Sequence, residues 1–487
     1  MVIQENFRFL INGELVPGDE EPFPVTDPST GEVFANCPQA SSDQVEAAVQ
    51  AAHQALSAWS ATSIEERKKY FDKAFDTLQP YFQEIANLLH QEQGKPLANA
   101  EGEVSSAVQI FKDSQKASID RKIVSETESH SLEIHRKPIG VVAGIVPWNY
   151  PVYIAVLKLS QAVVYGNTVV LKPSPFTPLT ALRLGEILSS VFPPGVVNII
   201  AGRDTRDERC VGDHLARHPL VAMTSFTGSI PTGKRVFRNS ADKIARMVLE
   251  LGGNDPAIVL GDVDVDQAAK GVLEAGLINS GQICCGIKRV YVHANIFDEF
   301  VDKISVLAKE KVAALGVTLG PINNRAQFDR VAGLVEDAVA NGGKVLAGGK
   351  KVESRSGFFY EPTIVVNVAE GVRLVDEEQF GPVLPIMKFE SEEEVIKRAN
   401  NTQYGLGASV WGNDPEVVNR VATRLQAGIV WTNEHAADAP GLPFGGMKQS
   451  GIGRESDWAE FDLNTYTEPQ GVKLMRARGT TAATGGA

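Results

Sequence analysis

The run Ile139-Gly-Val-Val-Ala-Gly-Ile-Val146, read together with Asn167-Thr-Val-Val-Leu-Lys-Pro173, decides the fold class. Both stretches are short, apolar and rich in β-branched residues, which is the composition of strands buried on two faces. Outward from them come the helical TPLTALRLGEILSSVF (177–192), the strand-like VVNII (196–200) and VAMTSFTG (221–228), and the helical TGKRVFRNSA (232–241). Such alternation predicts parallel strands joined by right-handed crossovers, a doubly wound α/β sheet. Ligands of that architecture sit at the carboxyl ends of the strands.

A second series starts near Gly252 with PAIVL (256–260), the helix DVDQAAKGVLEAGLINS (264–280), RVYVH (289–293) and the helix NIFDEFVDKISVLAKEKVA (295–313), and continues to about Val430. It predicts a second α/β domain. Before the first series, from about Ser41 to Ala98, apolar residues recur at helical spacing behind Ser and Asp caps, so a helical prelude is expected. SETESHSLEIHRKP (125–138) alternates polar and apolar residues as a half-exposed ribbon does, and NTYTEPQGVKLM (464–475) also reads as a strand. Two remote, edge-like strands predict a subunit-contact arm. The closing RARGTTAATGGA (476–487) reads as a disordered tail.

At 487 residues and 52.5 kDa, the chain is too long for one hydrophobic core, so a cleft between domains is expected. Its 47 basic and 60 acidic residues give a net charge of −13, and no Lys/Arg run forms a polyanion track. Nucleic acid is therefore not an expected partner. No basic head precedes an apolar stretch at the N-terminus, and the longest apolar runs fall far short of the roughly 20 residues that cross a bilayer. The four cysteines, Cys37, Cys210, Cys284 and Cys285, have neither disulfide-framework nor metal-site spacing. A reducing, cytoplasmic setting without membrane attachment is expected.

Two motifs mislead. Gly228-Ser-Ile-Pro-Thr-Gly233-Lys234 fits a phosphate-binding loop until its last position, where Arg235 stands in place of the hydroxyl that ligates magnesium. The glycine fingerprint of dinucleotide folds is missing, because SGIGRE (450–455) lacks its third glycine.

The chemistry lies elsewhere. Leu249-Glu250-Leu251-Gly252-Gly253-Asn254 precedes Asn279-Ser-Gly281-Gln282-Ile283-Cys284-Cys285-Gly286. In chain order there are also Pro147-Trp148-Asn149-Tyr150-Pro151, Val170-Leu-Lys172-Pro173, Phe226-Thr-Gly228-Ser229, Glu378-Gln-Phe380-Gly-Pro382 and Pro443-Phe-Gly-Gly446. Across essentially its whole length the chain resembles the aldehyde dehydrogenase superfamily, of the NAD(P)-dependent, hydrolytic type. The resemblance implies a Rossmann-type cofactor domain at 1–123 and 139–251 with 445–463, and an α/β catalytic domain at 252–444. It also implies a small β oligomerisation arm and tail at 124–138 and 464–487, in a homodimer or homotetramer.

The resemblance also implies roles that suit the residue types. Cys284 is the expected nucleophile; a thiol attacks an aldehyde as thiolate, so amide dipoles or a cation should lower its pKa. Asn149 is the expected oxyanion donor, a neutral amide that does not titrate. Glu250 is the expected base for the water that releases the thioester. For the cofactor, Val146, Pro147 and Trp148 would line the groove, Lys172 and Ser174 meet the adenosine ribose, and Gly228 and Ser229 open a helix toward the pyrophosphate. Leu251 and Gly252 would lie near the nicotinamide, with Glu378 on its ribose and Phe380 packed alongside. Tyr150, Tyr153, Leu157, Ile283, His435 and the segment Asn433 to Leu442 would border the substrate tunnel, favouring an apolar or aromatic aldehyde. No metal is expected.

One position departs from the family. Many NAD-preferring relatives carry a Glu three residues after the lysine, and here it is Pro175. NAD and NADP are therefore both expected. The competing readings are a CoA-acylating semialdehyde dehydrogenase, which commonly lacks the glutamate, and a non-catalytic structural protein of the same fold.

Overall fold

The computed structural model describes residues 6–205, 210–437, 439, 441–455, 458 and 460–476. An eight-stranded sheet has the order Gly451–Ile452, Arg246–Glu250, Val221–Thr227, Val141–Ile145, Thr168–Lys172, Val197–Ile199, Phe9–Ile11, Glu14–Val16. Its five central strands run parallel. From Val141–Ile145 the chain winds outward through Thr168–Lys172 and Val197–Ile199, then crosses back to Val221–Thr227 on the other side. The topological switch point thus lies between the strands ending at Ile145 and Thr227, and crevices at such points are where nucleotides dock.

A second sheet, of seven strands, runs Lys344–Ala347, Thr363–Val366, Val383–Phe389, Ile287–His293, Asp255–Val259, Gly407–Trp411, Ile429–Thr432. All its pairings are parallel except the one made by Lys344–Ala347. Separate apolar clusters, one around Ile258 and Val410 and one around Val259 and Val292, pack against it. Only Leu251–Asn254 separates the last inner strand of the first sheet from the first strand of the second. Glu250 therefore closes one sheet, and Asp255 opens the other.

The helical prelude is present from Ser42–Ala61 onward, with Ser41 and Gln44 forming a reciprocal capping box. Two expectations are corrected, and one region went unread. The ribbon over 125–138 is a hairpin, Lys122–Glu126 with His130–Pro138, turned by a Thr127–His130 backbone bond. The strand expected from residue 464 begins at Thr467, because Glu460–Tyr466 is helical. The N-terminal stretch carries four strands, Phe9–Ile11, Glu14–Val16, Glu20–Thr26 and Val33–Gln39, which reading from the sequence missed. Thr467–Met475 does pair with His130–Pro138 along its full length, and the resulting three-stranded sheet exposes Ile123, Val124, Leu132 and Leu474. The tail at 477–487 lies outside the described residues. Among the described residues no helix is long and apolar enough to cross a membrane.

Candidate active site

The seam between the two sheets gathers the three expected catalytic residues. Cys284 stands half-buried in the turn just before the Ile287–His293 strand. That turn is entered through three successive left-handed residues, Asn279, Ser280 and Gly281, at φ 49°, 57° and 75°. Two of them are not glycine, a conformation that persists only where its surroundings impose it. Here they do. The Ser280 hydroxyl donates to the Gly320 carbonyl at 2.8 Å, and the Gln282 amide donates to the Asn279 and Pro321 carbonyls at 3.0 and 3.1 Å. Gly281 is obligatory, since any Cβ there would overlap the Gly381 carbonyl.

Asn149 is buried, and its Nδ2 donates to the Gln282 carbonyl at 3.1 Å, two residues before Cys284. An amide nitrogen carries two hydrogens, so one remains for a substrate oxygen. The segment after Glu250 passes against the same turn, for a Cβ on Gly253 would lie 2.6 Å from the Cys284 carbonyl. Both Glu250 carboxylate oxygens are buried without a hydrogen-bond partner. Burial, then the nearby Glu455 carboxylate, hold the Glu250 pKa well above the usual carboxylate range, with Lys158 opposing.

Cys284 departs from expectation. Its thiol is pushed up rather than down, first by a hydrogen bond with the Cys285 thiol, then by burial, then by Cys285, Glu378 and Asp255 charge. The buried cation in this region, Lys288, is tied to the Ile283 and Gly286 carbonyls at 2.8 and 3.4 Å. Cys285 is buried, and its carbonyl accepts from His435 Nε2 at 2.8 Å. The His435 ring lies 4.9 Å from that of Trp431 and has a fully buried side chain, so it sits behind the turn.

Most of the residues expected to meet the cofactor lie at the carboxyl ends of first-sheet strands, with Glu378 and Phe380 brought in from the loop before the Val383–Phe389 strand. Val146 and Pro147 follow the Val141–Ile145 strand, and the Val146 amide donates to the Lys172 carbonyl at 3.0 Å. Ser229 caps the helix Ile230–Ser240 and is exposed, while the Gly228 amide donates to the Glu250 carbonyl at 3.0 Å. These two groups therefore flank the switch point. Trp148 meets Phe380 edge-on at 5.3 Å. The Gly253 amide donates to Glu378 Oε1 at 3.1 Å, and any Cβ at Gly252 would overlap Glu378 Oε2. Burial pushes Glu378 up to about 7. Leu251 is buried against the sheet, its amide donating to Ser450 at 2.9 Å.

Lys172 and Ser174 are buried together at the end of the Thr168–Lys172 strand, beside half-buried Pro175. Burial lowers the Lys172 pKa, while Cys210 and Asp204 raise it and Arg235 lowers it further. Arg235 pairs with Asp204, and with Asp213 at 3.1 Å. This second cation was missed from the sequence, although it closes the false phosphate-loop match.

Of the tunnel candidates, Ile283 packs with Phe444, Ala436 and Ala437 around Cys285 and Trp431. Tyr153 and Leu157, on helix Pro151–Val164, pack with the large core beneath the first sheet. Tyr150 is half-buried at that helix's N-cap. Positions 438 and 440 of the Asn433 to Leu442 border lie outside the described residues. Also unforeseen was a buried network behind Glu250: Lys158 Nζ donates to Ser225 at 2.6 Å and Glu455 at 3.2 Å, and Tyr466 donates to Glu455. Among the described residues no His/Cys/Asp/Glu group could hold a metal ion.

A half-buried cysteine, a buried carboxylate and an amide at the edge of a doubly wound sheet define a class. The chain belongs to the aldehyde dehydrogenase family, whose model matches residues 15–472, and it is an oxidoreductase acting on the aldehyde group. It is 36% identical over 488 residues to 2-aminomuconic semialdehyde dehydrogenase of Homo sapiens, covering 97% of this chain and 99% of that one. It is 36% identical over 479 residues to the NADP(+) succinate-semialdehyde dehydrogenase of Escherichia coli, covering 96% of each. Its fold matches the NAD+ complex of an aldehyde dehydrogenase from Bacillus cereus at a TM-score of 0.92, with 34% identity and 97% of each chain covered.

Proposed function

We propose that this chain oxidises an aldehyde to its carboxylic acid with NAD or NADP, through a thioester on Cys284 that water, activated by Glu250, hydrolyses. The observation that carries the reading is the Glu250 carboxylate: buried, without a hydrogen-bond partner, at the seam beside the half-buried thiol. A fold that needed only stability would not keep such a group, because burying an unpaired carboxylate costs several kcal/mol. A base for water needs that freedom and a raised pKa.

The Cys284 thiol gives up its proton to solvent, its sulfur bonds the aldehyde carbon, and negative charge grows on the former carbonyl oxygen. The free N–H of Asn149 and the Cys284 amide receive that charge. As the oxyanion re-forms C=O, the aldehyde C–H bond breaks and leaves the thioester on Cys284; a bound nicotinamide would supply the acceptor for the departing hydride. Glu250 then takes a proton from a water that attacks the thioester carbon, and the acid leaves as the thiol reforms. For the cofactor, the exposed helix N-terminus at Ser229 suits a pyrophosphate. The Gly252 cradle beside Glu378 suits a ring brought close to the backbone. Lys172, with Arg235 nearby, supplies cations toward the adenosine ribose, and Pro175 places no carboxylate there.

Glu250 favours hydrolysis over transfer to CoA, and the complete site disfavours a purely structural role. Ile283 and Phe444 beside the thiol, with Tyr150 at the N-cap of the neighbouring helix, favour an apolar or aromatic aldehyde over the acidic semialdehydes named for relatives. The test is growth of absorbance at 340 nm with a panel of aliphatic, aromatic and acidic aldehydes and each cofactor. Growth with neither cofactor on any aldehyde would remove the reading; a marked advantage for succinate semialdehyde would remove only the substrate class.

The residue ranges set out for the cofactor domain, catalytic domain and arm are proposed with this reading. The exposed three-stranded sheet, with its apolar side chains, supports a homodimer or homotetramer. Light scattering should give a multiple of 52.5 kDa. Four free cysteines suit a reducing, cytoplasmic setting.

A further inference from the structure

Gly94, left-handed at φ 92°, ends helix Phe82–Gln93 and turns Lys95 into the interior. The Lys95 side chain is 1% exposed and pairs with Glu103, which is 0% exposed, on helix Leu97–Asp113. The ammonium also donates to the Asn149 carbonyl at 3.0 Å and lies 4.0 Å from the centre of the Tyr150 ring. Glu103 Oε1 accepts the amides of Val152 and Tyr153 at 2.9 and 3.1 Å, at the start of helix Pro151–Val164. The two charges thus hold the chain at the Asn149 carbonyl and again at the amides of Val152 and Tyr153, just after the turn. From the opposite side, Asn279 Nδ2 donates to the same Asn149 carbonyl at 3.1 Å.

A fully buried ion pair is a poor way to gain stability, because matched apolar residues commonly do as well or better. What this pair does provide is direction. The Asn149 backbone is held at its carbonyl by two donors, leaving its carboxamide aimed at the Gln282–Cys284 turn. We infer that Lys95 and Glu103 are positioning residues that fix the Asn149 carboxamide for the oxyanion. The inference rests on Asn149 being the oxyanion donor, and extends it to two residues on other helices. When the ion pair is lost, the Asn149 turn loses its anchor, and the free N–H no longer meets the growing charge.

The test is a mutant cycle. Lys95→Met alone would strand the Glu103 charge, so the neutral double variant Lys95→Met/Glu103→Gln is compared with Asn149→Ala and with the triple variant, and Glu103→Gln alone serves as a milder probe. Active sites are counted by iodoacetamide alkylation of Cys284, and NADH binding is followed by fluorescence. The double variant should lose roughly 10- to 100-fold in kcat/KM per alkylatable site, in keeping with a weakened oxyanion donor. NADH affinity should stay within about threefold, and the triple variant should match Asn149→Ala within about twofold. Unchanged kcat/KM in the double variant, or losses that multiply in the triple, would overturn the inference alone. Wild-type kcat/KM in Asn149→Ala would overturn the oxyanion reading itself, and this inference with it.

Discussion

The two sides of the seam are built in opposite ways. On the Cys284 side every neighbour is fastened: Asn279, Ser280 and Gly281 are held left-handed, Gln282 spends its amide on two carbonyls, and His435 braces the Cys285 carbonyl. On the Glu250 side the backbone is a regular strand, yet neither carboxylate oxygen has a partner. The contrast fits the two tasks. A nucleophile must be aligned with a carbonyl to within a fraction of an ångström, whereas a base must reach a water that arrives only after acylation.

The contrast is broken most severely by Cys284→Ala. Turnover should fall by at least about a thousandfold while NADH binding, measured by fluorescence, stays within about threefold. Retention of a few per cent of the activity would mean that another group is the nucleophile.

Next comes the rigidity of the turn. Gly281→Ala forces a Cβ into the Gly381 carbonyl at a φ of 75°, and should destabilise the protein by roughly 3 kcal/mol in denaturant unfolding. An alanine variant as stable and active as the wild type would show that the turn is not over-determined.

A smaller effect is expected at the adenosine end. Pro175→Glu should shift kcat/KM selectivity toward NAD by about tenfold, or roughly 1.4 kcal/mol, through repulsion of a 2′-phosphate. If the wild type already rejects NADP by more than a thousandfold, the Lys172 and Arg235 cations do not serve that phosphate.

The smallest effect belongs to Cys285→Ala, which should leave kcat within about threefold. Because the Cys285 hydrogen bond is the first cause of the raised Cys284 pKa, its removal should speed iodoacetamide alkylation near neutral pH. Slower alkylation would reverse the assigned sign.

Much of this site was legible because its motifs are local. The Glu250 and Cys284 segments, Asn149, and the Gly228-Ser229 opening of a helix are short contiguous motifs, singled out by their resemblance to the family, and each lies within a few residues of a strand end. The unread parts depend on residues far apart in sequence. Lys158 and Glu455 meet across 297 positions, and Arg235 reaches Asp204 across 31. The expected lowering of the Cys284 pKa failed for a different reason: glycines forecast exposed amides, but the hydrogen bond with the neighbouring Cys285 thiol and burial outweigh them, with the Glu378 and Asp255 charges adding to the rise. Two of the N-terminal strands, Phe9–Ile11 and Glu14–Val16, escaped because pieces of three residues carry no periodicity to read. The hairpin over 122–138 was hidden by a turn, Thr127 to Ser129, as polar as the strands around it.

The most direct measurement of the central claim is rapid-quench mass spectrometry of Glu250→Gln mixed with aldehyde and excess NAD, across pH. Without its base, the enzyme should release about one NADH per site, carry the acyl mass on Cys284, and turn over roughly 100-fold more slowly than wild type. The wild-type deacylation rate should rise with pH through an apparent pKa above the usual carboxylate range, since Glu250 acts only when deprotonated and its pKa is raised. The variant should lose that rise. Undiminished steady turnover by Glu250→Gln, or a burst with no acyl mass on Cys284, would contradict the account.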